Sequence, residues 1–317
     1  MLQALSTLFF AARVYSRAKL LRNWSFDDTL LSLAWVLSVV DSVLNVYTTK
    51  YGSGQHMGDV SPEDMSMMAK IMFIGTPIFN MALGLTKLSI CALYMRTLSH
   101  TFWSRASVTC CAIFIIVSLF CVEAVAIFQC WPISKMWDFS PASIAEGGCL
   151  DIRISVLSSS AVNIIADFWL IAIALPIILK LQVGLQQKFA LLVVVLLGLI
   201  VMATGVLRMA FITSLGTPDL SVDIPWNSCE ILLLGSAEMN IGIACAAVLA
   251  IRPLLRSWVP GMGGSLQSSD TFSVVQRKAD EESNGSWQSQ SDQKFREYEY
   301  REDRPARKFR SNFMSFS

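Results

Sequence analysis

The sequence predicts an all-α polytopic membrane protein, a bundle of seven transmembrane helices, and three observations carry that prediction. The chain is 54% hydrophobic and only 15% charged, against roughly 25% charged residues in an average soluble domain. Six stretches stay apolar over the length a helix needs to cross the hydrocarbon core, about 20 residues. The loops between them alternate between basic and acidic, as the positive-inside rule requires of a chain threaded back and forth through a bilayer.

Taken in order, the N-terminal "MLQALSTLFFAA" supplies twelve mainly apolar residues, about 18 Å of helix at 1.5 Å per residue. A secretory signal would place its positive charge before the apolar run, whereas here the charge follows it. The stretch reads as the inner part of a first span truncated at its outer end; with it the bundle has seven helices and the N-terminus lies outside, and without it six, with the N-terminus inside. The second to seventh spans are expected at about 28–47, 66–94, 106–128, 154–179, 189–215 and 228–251. Loops on one side carry Arg13, Arg17, Lys19 and Arg22, then Arg96 and Arg105, then Lys180 and Lys188, then Arg252 and Arg256. That side, and with it the C-terminus, is predicted to be cytoplasmic. Residues 1–255 form the expected membrane domain. Residues 256–317, rich in Ser, Gln and mixed charge with little aliphatic content, are expected to be a disordered cytoplasmic tail. The glycosylation sequons at Asn23 and Asn284 fall on the predicted cytoplasmic side and are expected to be unused.

The charges inside the spans are the candidate functional residues. Asp41, Lys70, Glu123, Arg208 and Glu230 fall toward the outer ends of their helices; Asp167 and Glu238 lie near the middle, and Lys87 toward the inner third, with no carboxylate expected at its depth. Each mid-membrane charge costs roughly 2.5 to 3.5 kcal/mol on insertion scales, so these groups should face one another rather than lipid. Asn163 and Asp167 are four residues apart and share one helix face, a single inward polar patch. Two readings use the same residues. In one they clamp the helices together; in the other Asp41, Glu123, Asp167, Arg208 and Glu230 line an outward-facing polar cavity that binds a ligand or switches partners. Asp167 and Arg208, each the only charge in its helix interior, are the pair whose loss should matter most.

Pro77 is expected to kink the third helix, with the Thr76 hydroxyl or a neighbouring helix satisfying the freed carbonyl. Gly242, Ala246 and Ala250 give the seventh helix a smooth face for close packing. Cys130 and Cys149, both in the second outer loop, are the candidate disulfide; it would close about 20 residues and contribute roughly 3 kcal/mol on the chain-entropy model. The other six cysteines read as small hydrophobes in or beside spans. His56, in the "YGSGQH" loop, reads as an exposed loop residue. With no CxxC pair and only His56 and His100, no metal-ligand spacing is present, and no basic stripe interleaved with aromatics points to nucleic acid. Nothing calls for a cofactor.

The ordered marks "RVYSR", Asp27-Asp28, "YGSGQH", "TKLSICALYMR" and "FQCWP" through Trp137 and Cys149 lead on to Asn163, Asp167, Pro176, Gly198 and Arg208. They end in "AEMNIGIACAAVLAIRPLL" with Glu238, Asn240 and Arg252-Pro253. Together the marks resemble the fungal seven-transmembrane rhodopsin-domain integral membrane proteins, the group of Pth-type receptors and satratoxin-cluster membrane proteins, over about residues 10–255. The chain departs from the family where Leu234 and Leu249 stand in place of a Trp and a Pro. The family name does not import retinal: a Schiff-base lysine would be needed in the last helix, and residues 228–251 contain none.

The resemblance implies a receptor-like protein of the plasma membrane or an endomembrane that senses a small molecule or surface cue. A heterotrimeric G protein is the cytoplasmic partner suggested by architecture alone, since "LYMR" stands where Asp-Arg-Tyr would be expected and the seventh span lacks Asn-Pro-x-x-Tyr. The alternative is a membrane enzyme or accessory component of a fungal secondary-metabolite pathway, with Asp167 and Glu238 as general acids. No nucleophile elbow supports that second reading.

Overall fold

The computed structural model describes residues 1–20, 24–97, 102–138, 148–150, 152–180, 185–214 and 223–258. Among them are seven α-helices: α1 Leu2–Tyr15, α2 Phe26–Thr49, α3 Pro62–Thr97, α4 Phe102–Phe128, α5 Ile152–Lys180, α6 Leu185–Ser214 and α7 Ile224–Trp258. A π-helical turn, Ser16–Leu20, extends α1; two-residue strands, β1 Cys130–Trp131 and β2 Gly148–Cys149, lie between α4 and α5. The sequons at Asn23 and Asn284 and the tail beyond Trp258 lie outside the described residues.

Five helices are long and apolar enough to cross a membrane: Phe26–Thr49, Pro62–Arg96, Trp103–Phe128, Ile154–Leu175 and Pro225–Leu249, with Val195–Phe211 of α6 a shorter apolar stretch. The chain is therefore a polytopic helical membrane bundle. The 14 residues of α1 rise about 21 Å, short of the roughly 30 Å hydrocarbon core.

Each helix packs on the next from α1 to α7, and α7 packs back on α1, closing a ring that α3 crosses to reach α7. The apolar surfaces explain that arrangement. Half of the spanning window of α3 and 56% of that of α7 is buried, against 17% for α4. Thus α4 turns Ile113, Ile116, Val117 and Phe120 outward, which lipid tolerates as well as a protein core does. Leu31, Leu83, Met239 and Ile243 form one core cluster, among α2, α3 and α7. Tyr94, Val108, Leu170 and Leu249 belong to another, among α3, α4, α5 and α7. Of the small face expected on α7, Ala246 is buried, and a side-chain carbon at Gly242 would stand in ordinary contact, 3.8 Å from the Thr86 methyl on α3.

Helix α3 continues unbroken through Pro77. The Thr76 hydroxyl donates to the Met72 carbonyl at 2.9 Å, one residue before the Phe73 carbonyl that the proline leaves without its helical donor. The hydroxyl therefore does not replace the missing bond.

One end of the bundle is fastened by loops. Cys130 and Cys149 form a disulfide inside the antiparallel β1–β2 pair. Ser66 at the start of α3 donates to the Trp137 carbonyl at 2.7 Å, and Phe73 meets the Trp137 ring edge-on. The first loop folds over the start of α7. Gly54, at φ +91°, donates its N–H to the Pro225 carbonyl at 2.9 Å, and His56 stacks on Trp226 with centroids 4.5 Å apart. His56 Nδ1 lies 2.8 Å from Asp223 Oδ2, and the Met57 N–H donates to Asp223 Oδ1 at 2.9 Å. The imidazole beside it holds the Asp223 carboxyl below the usual carboxylate range. The helix ends that carry Arg13, Arg96 and Arg252 form the opposite, basic end.

Candidate functional site

Midway along the bundle four charged side chains from four helices form two ion pairs. Lys87 of α3 places its Nζ 2.7 Å from Asp167 Oδ1 on α5, and the same ammonium donates to the Asn163 carbonyl at 2.8 Å. Arg208 of α6 places Nη2 3.2 Å from Glu238 Oε2 on α7. The Asn163 side-chain amide donates to Glu238 Oε1 and so joins the two pairs. All four charged residues are at most 9% exposed, so each charge depends on its partner.

The earlier expectation for Lys87 is corrected: a carboxylate does lie beside it. Helix α3 is 36 residues long, about 54 Å, well beyond the roughly 30 Å bilayer core, so a residue's count along it does not fix its depth. The lysine's four-carbon stem then covers the remaining offset. Asp167 and Arg208 sit in the same network with different partners, Asp167 on Lys87 and Arg208 on Glu238.

The second pair is incompletely bonded. Glu238 Oε2 and Arg208 Nε are buried without a hydrogen-bond partner, and the guanidinium lies over the Phe79 ring, 5.2 Å from its centroid. Gly205 of α6 faces this pair: a side-chain carbon there would meet Glu238 Oε1 in ordinary contact at 3.6 Å.

Cavities flank the network on both sides. One, of about 70 Å³, runs from Lys87, Asp167 and Glu238 toward Tyr94 and Leu249 at the basic end, and its walls are mostly aliphatic. The other, of about 50 Å³, lies toward the disulfide end against Asn80, Lys87, Ser118, Ser159, Asn163 and Arg208. Either volume exceeds the 10–15 Å³ that one water needs.

The remaining candidates stand apart from this network. Asp41 is buried and accepts from Asn45 Nδ2 at 2.9 Å; Asn45 reaches on to Ser236 at 3.2 Å, in a polar seam of α1, α2 and α7 that also joins Ser6 to Asn240. Glu123 is half-buried on α4 with both oxygens lacking a hydrogen-bond partner, and Glu230 is exposed near the start of α7. The five residues expected around one outward cavity thus do not converge.

A second charged cluster, at the basic end, was not read from the sequence. Arg13 of α1 donates Nε to Asp28 Oδ1 at 2.8 Å and Nη2 to Asp27 Oδ2 at 2.7 Å. Its Nη1 donates to the Ala246 carbonyl of α7 at 2.8 Å. Asp28 also accepts from the Ser25 N–H, the reciprocal half of a capping box that starts α2. Ser89 of α3 donates to the Asp27 carbonyl at 2.7 Å, and Arg96 donates to the Ser25 hydroxyl. The signal was available in the paired acids at the start of a span, 14 and 15 residues after an arginine. Arg13 had been assigned to a loop because α1 was expected to stop before it; the helix continues to Tyr15 and turns the arginine inward.

The family model of the fungal rhodopsin domain matches residues 12–257. A SAT4 family membrane protein of Emericella nidulans is 25% identical over 202 residues, 62% of this chain and 50% of its own length. The polyenoic acids biosynthesis gene cluster protein Ba17b of Metarhizium anisopliae is 24% identical over 275 residues, 82% of this chain and 73% of its own. Receptor GIN3 of Arthrobotrys oligospora is 23% identical over 281 residues, 86% of this chain and 65% of its own. The chain thus spans about half the length of the first of these relatives. No solved structure matches it.

Proposed function

The chain belongs to the fungal rhodopsin domain family, and on that premise we propose that it is a receptor-like protein sensing a small molecule or surface cue, without retinal. One observation carries the reading: two buried ion pairs from four helices, one of them incompletely bonded, meet between two cavities. A ligand that prefers one pairing of these charges over another shifts the bundle between two packings, and only such a differential preference can do so. The ligand enters from the disulfide end, which faces outward because disulfides persist on the oxidising side of a membrane. The basic end then faces the cytoplasm, where a heterotrimeric G protein is the partner its architecture suggests. The plasma membrane is the location that suits a surface cue, and a relative named as a receptor is consistent with this role.

Asp167 tests the reading. Asp167→Asn keeps the hydrogen-bonding shape but removes the charge, so it is expected to reach the membrane in normal amount and give no response. Asp167→Leu leaves Lys87 buried without an acceptor side chain and is expected to lower the folded yield. Normal surface expression with full response for both variants would overturn the proposal.

The second reading, an accessory component of a secondary-metabolite pathway, is favoured by the relative encoded in a polyenoic acid cluster. An untargeted metabolite profile of a strain lacking the gene separates the two. Build-up of one discrete intermediate supports the pathway role; unchanged metabolites with an altered surface response support the sensor.

A further inference from the structure

We propose that the cavity at the disulfide side of the network binds a small carboxylate, held between Arg208 and Lys87. This rests on the receptor-like reading above and names the ligand class it would take.

The network is electrically lopsided. Both carboxylates, Asp167 and Glu238, border the cavity toward the basic end. The opposite cavity is bordered by Lys87 and Arg208, and no carboxylate is among its described lining residues. Low-dielectric walls strengthen that field, so the second cavity favours an anion over a neutral or cationic guest.

Arg208 supplies the specific contact. It is 7% exposed, its Nε–H has no acceptor, and Phe79 covers one face of the guanidinium. What it offers is an edge. A planar edge of N–H donors matches two carboxylate oxygens better than it matches a spherical ion. The contact that such a guest would displace is an ion pair without a hydrogen bond, Arg208 Nη2 lying 3.2 Å from Glu238 Oε2. Lys87 supplies a second positive charge, and Asn80 and Ser159 supply neutral polar groups at the wall. Room of about 50 Å³ suits a carboxylate with a short alkyl chain. A carboxylate seated there competes with Glu238 for Arg208 and with Asp167 for Lys87, which couples occupancy to the α3–α5 and α6–α7 contacts.

The test uses the full chain in lipid nanodiscs at fixed ionic strength, with thermal unfolding read against acetate, propionate, butyrate, chloride, 1-propanol and propylamine. A saturable rise in Tm with propionate or butyrate, but not with chloride, propanol or propylamine, is expected. Arg208→Met is expected to weaken it on the order of 100-fold. Ser159→Leu fills the cavity without touching a charge, so it should remove the effect even if Arg208→Met fails to fold. Chloride acting as well as propionate overturns the carboxylate assignment. Propanol or propylamine acting instead, and blocked by Ser159→Leu, overturns it too while leaving the sensor reading standing. No effect from any probe, with Asp167→Asn still silent in cells, overturns only this inference; no effect with Asp167→Asn and Asp167→Leu both fully responsive overturns both.

Discussion

The clamp at the basic end and the network at mid-bundle are built from similar parts, and they differ in how completely the central arginine of each is satisfied. Each joins arginine or lysine to two carboxylates across helices. At the basic end all three kinds of guanidinium nitrogen of Arg13 donate at 2.7 to 2.8 Å. At mid-bundle Arg208 and Glu238 each keep a buried polar atom without a partner, and cavities lie on either side. The clamp has a loose member of its own, since Arg17 Nε stands 3.9 Å from Asp28 Oδ1 and is buried without a hydrogen-bond partner, so the contrast lies in the central arginine of each set. A loosely bonded arginine beside a cavity has room for a second arrangement, which is what the proposed sensor would use.

The sharpest way to break this comparison is to remove Arg13. Arg13→Ala leaves Asp27 buried without its cation and Asp28 with only the more distant Arg17 at 3.9 Å, a change of about 3 to 5 kcal/mol, and the folded yield in detergent should collapse. Arg13→Lys should rescue it poorly, since an ammonium cannot donate in the same fork. Next in size is the outer fastening. Cys130→Ser with Cys149→Ser opens a loop with a sequence separation of 19 and should lower stability by roughly 3 kcal/mol, read as a lower Tm that reducing agent does not lower further.

The mid-bundle network should behave oppositely to the clamp. Lys87→Met combined with Asp167→Leu removes both partners together, which in buried pairs is often neutral or stabilising by about 1 to 4 kcal/mol. The double variant should therefore keep its Tm or raise it while losing its response. A fall in Tm as large as that of Arg13→Ala would mean that the network, too, is only a clamp.

The smallest expected effect concerns the exposed His56–Asp223 contact. Because Asp223 titrates below its ordinary range, the stabilisation it gives is complete above the unfolded carboxylate pKa and fades as pH falls through the lower, folded one. Hydrogen exchange at the Met57 amide, which Asp223 accepts, should quicken in acid after correction for intrinsic rates. Asp223→Asn should flatten that dependence.

The helices were legible in the sequence because an apolar run of membrane length has few other uses. The shared face of Asn163 and Asp167 was legible for the same local reason, a four-residue spacing on one helix. What could not be read was which helix each residue faces. Lys87 and Asp167 meet across a helix pair, α3 and α5, that is not adjacent in sequence, and a count along one helix does not say which neighbour its side chains meet. Asp41 and Glu230 were grouped with Arg208 by depth alone, yet depth says nothing of azimuth: Asp41 turns to the α1–α7 seam, and Glu230 turns out of the bundle.

Phe79 has one further mechanical consequence. Its ring is wedged between Arg208 on α6 and the bare backbone at Gly235 on α7, where an added side-chain carbon would stand 3.2 Å from the ring. Neighbouring positions on α7 carry Leu234 and Ser236, so Gly235 is a notch in which the phenyl ring rests. Filling the notch with a methyl group, as in Gly235→Ala, would put a carbon 3.2 Å from the ring and oblige the ring to shift. Because the same ring lies under the Arg208 guanidinium, the fit of a phenyl ring against bare backbone on α7 sets where a charge on α6 can rest.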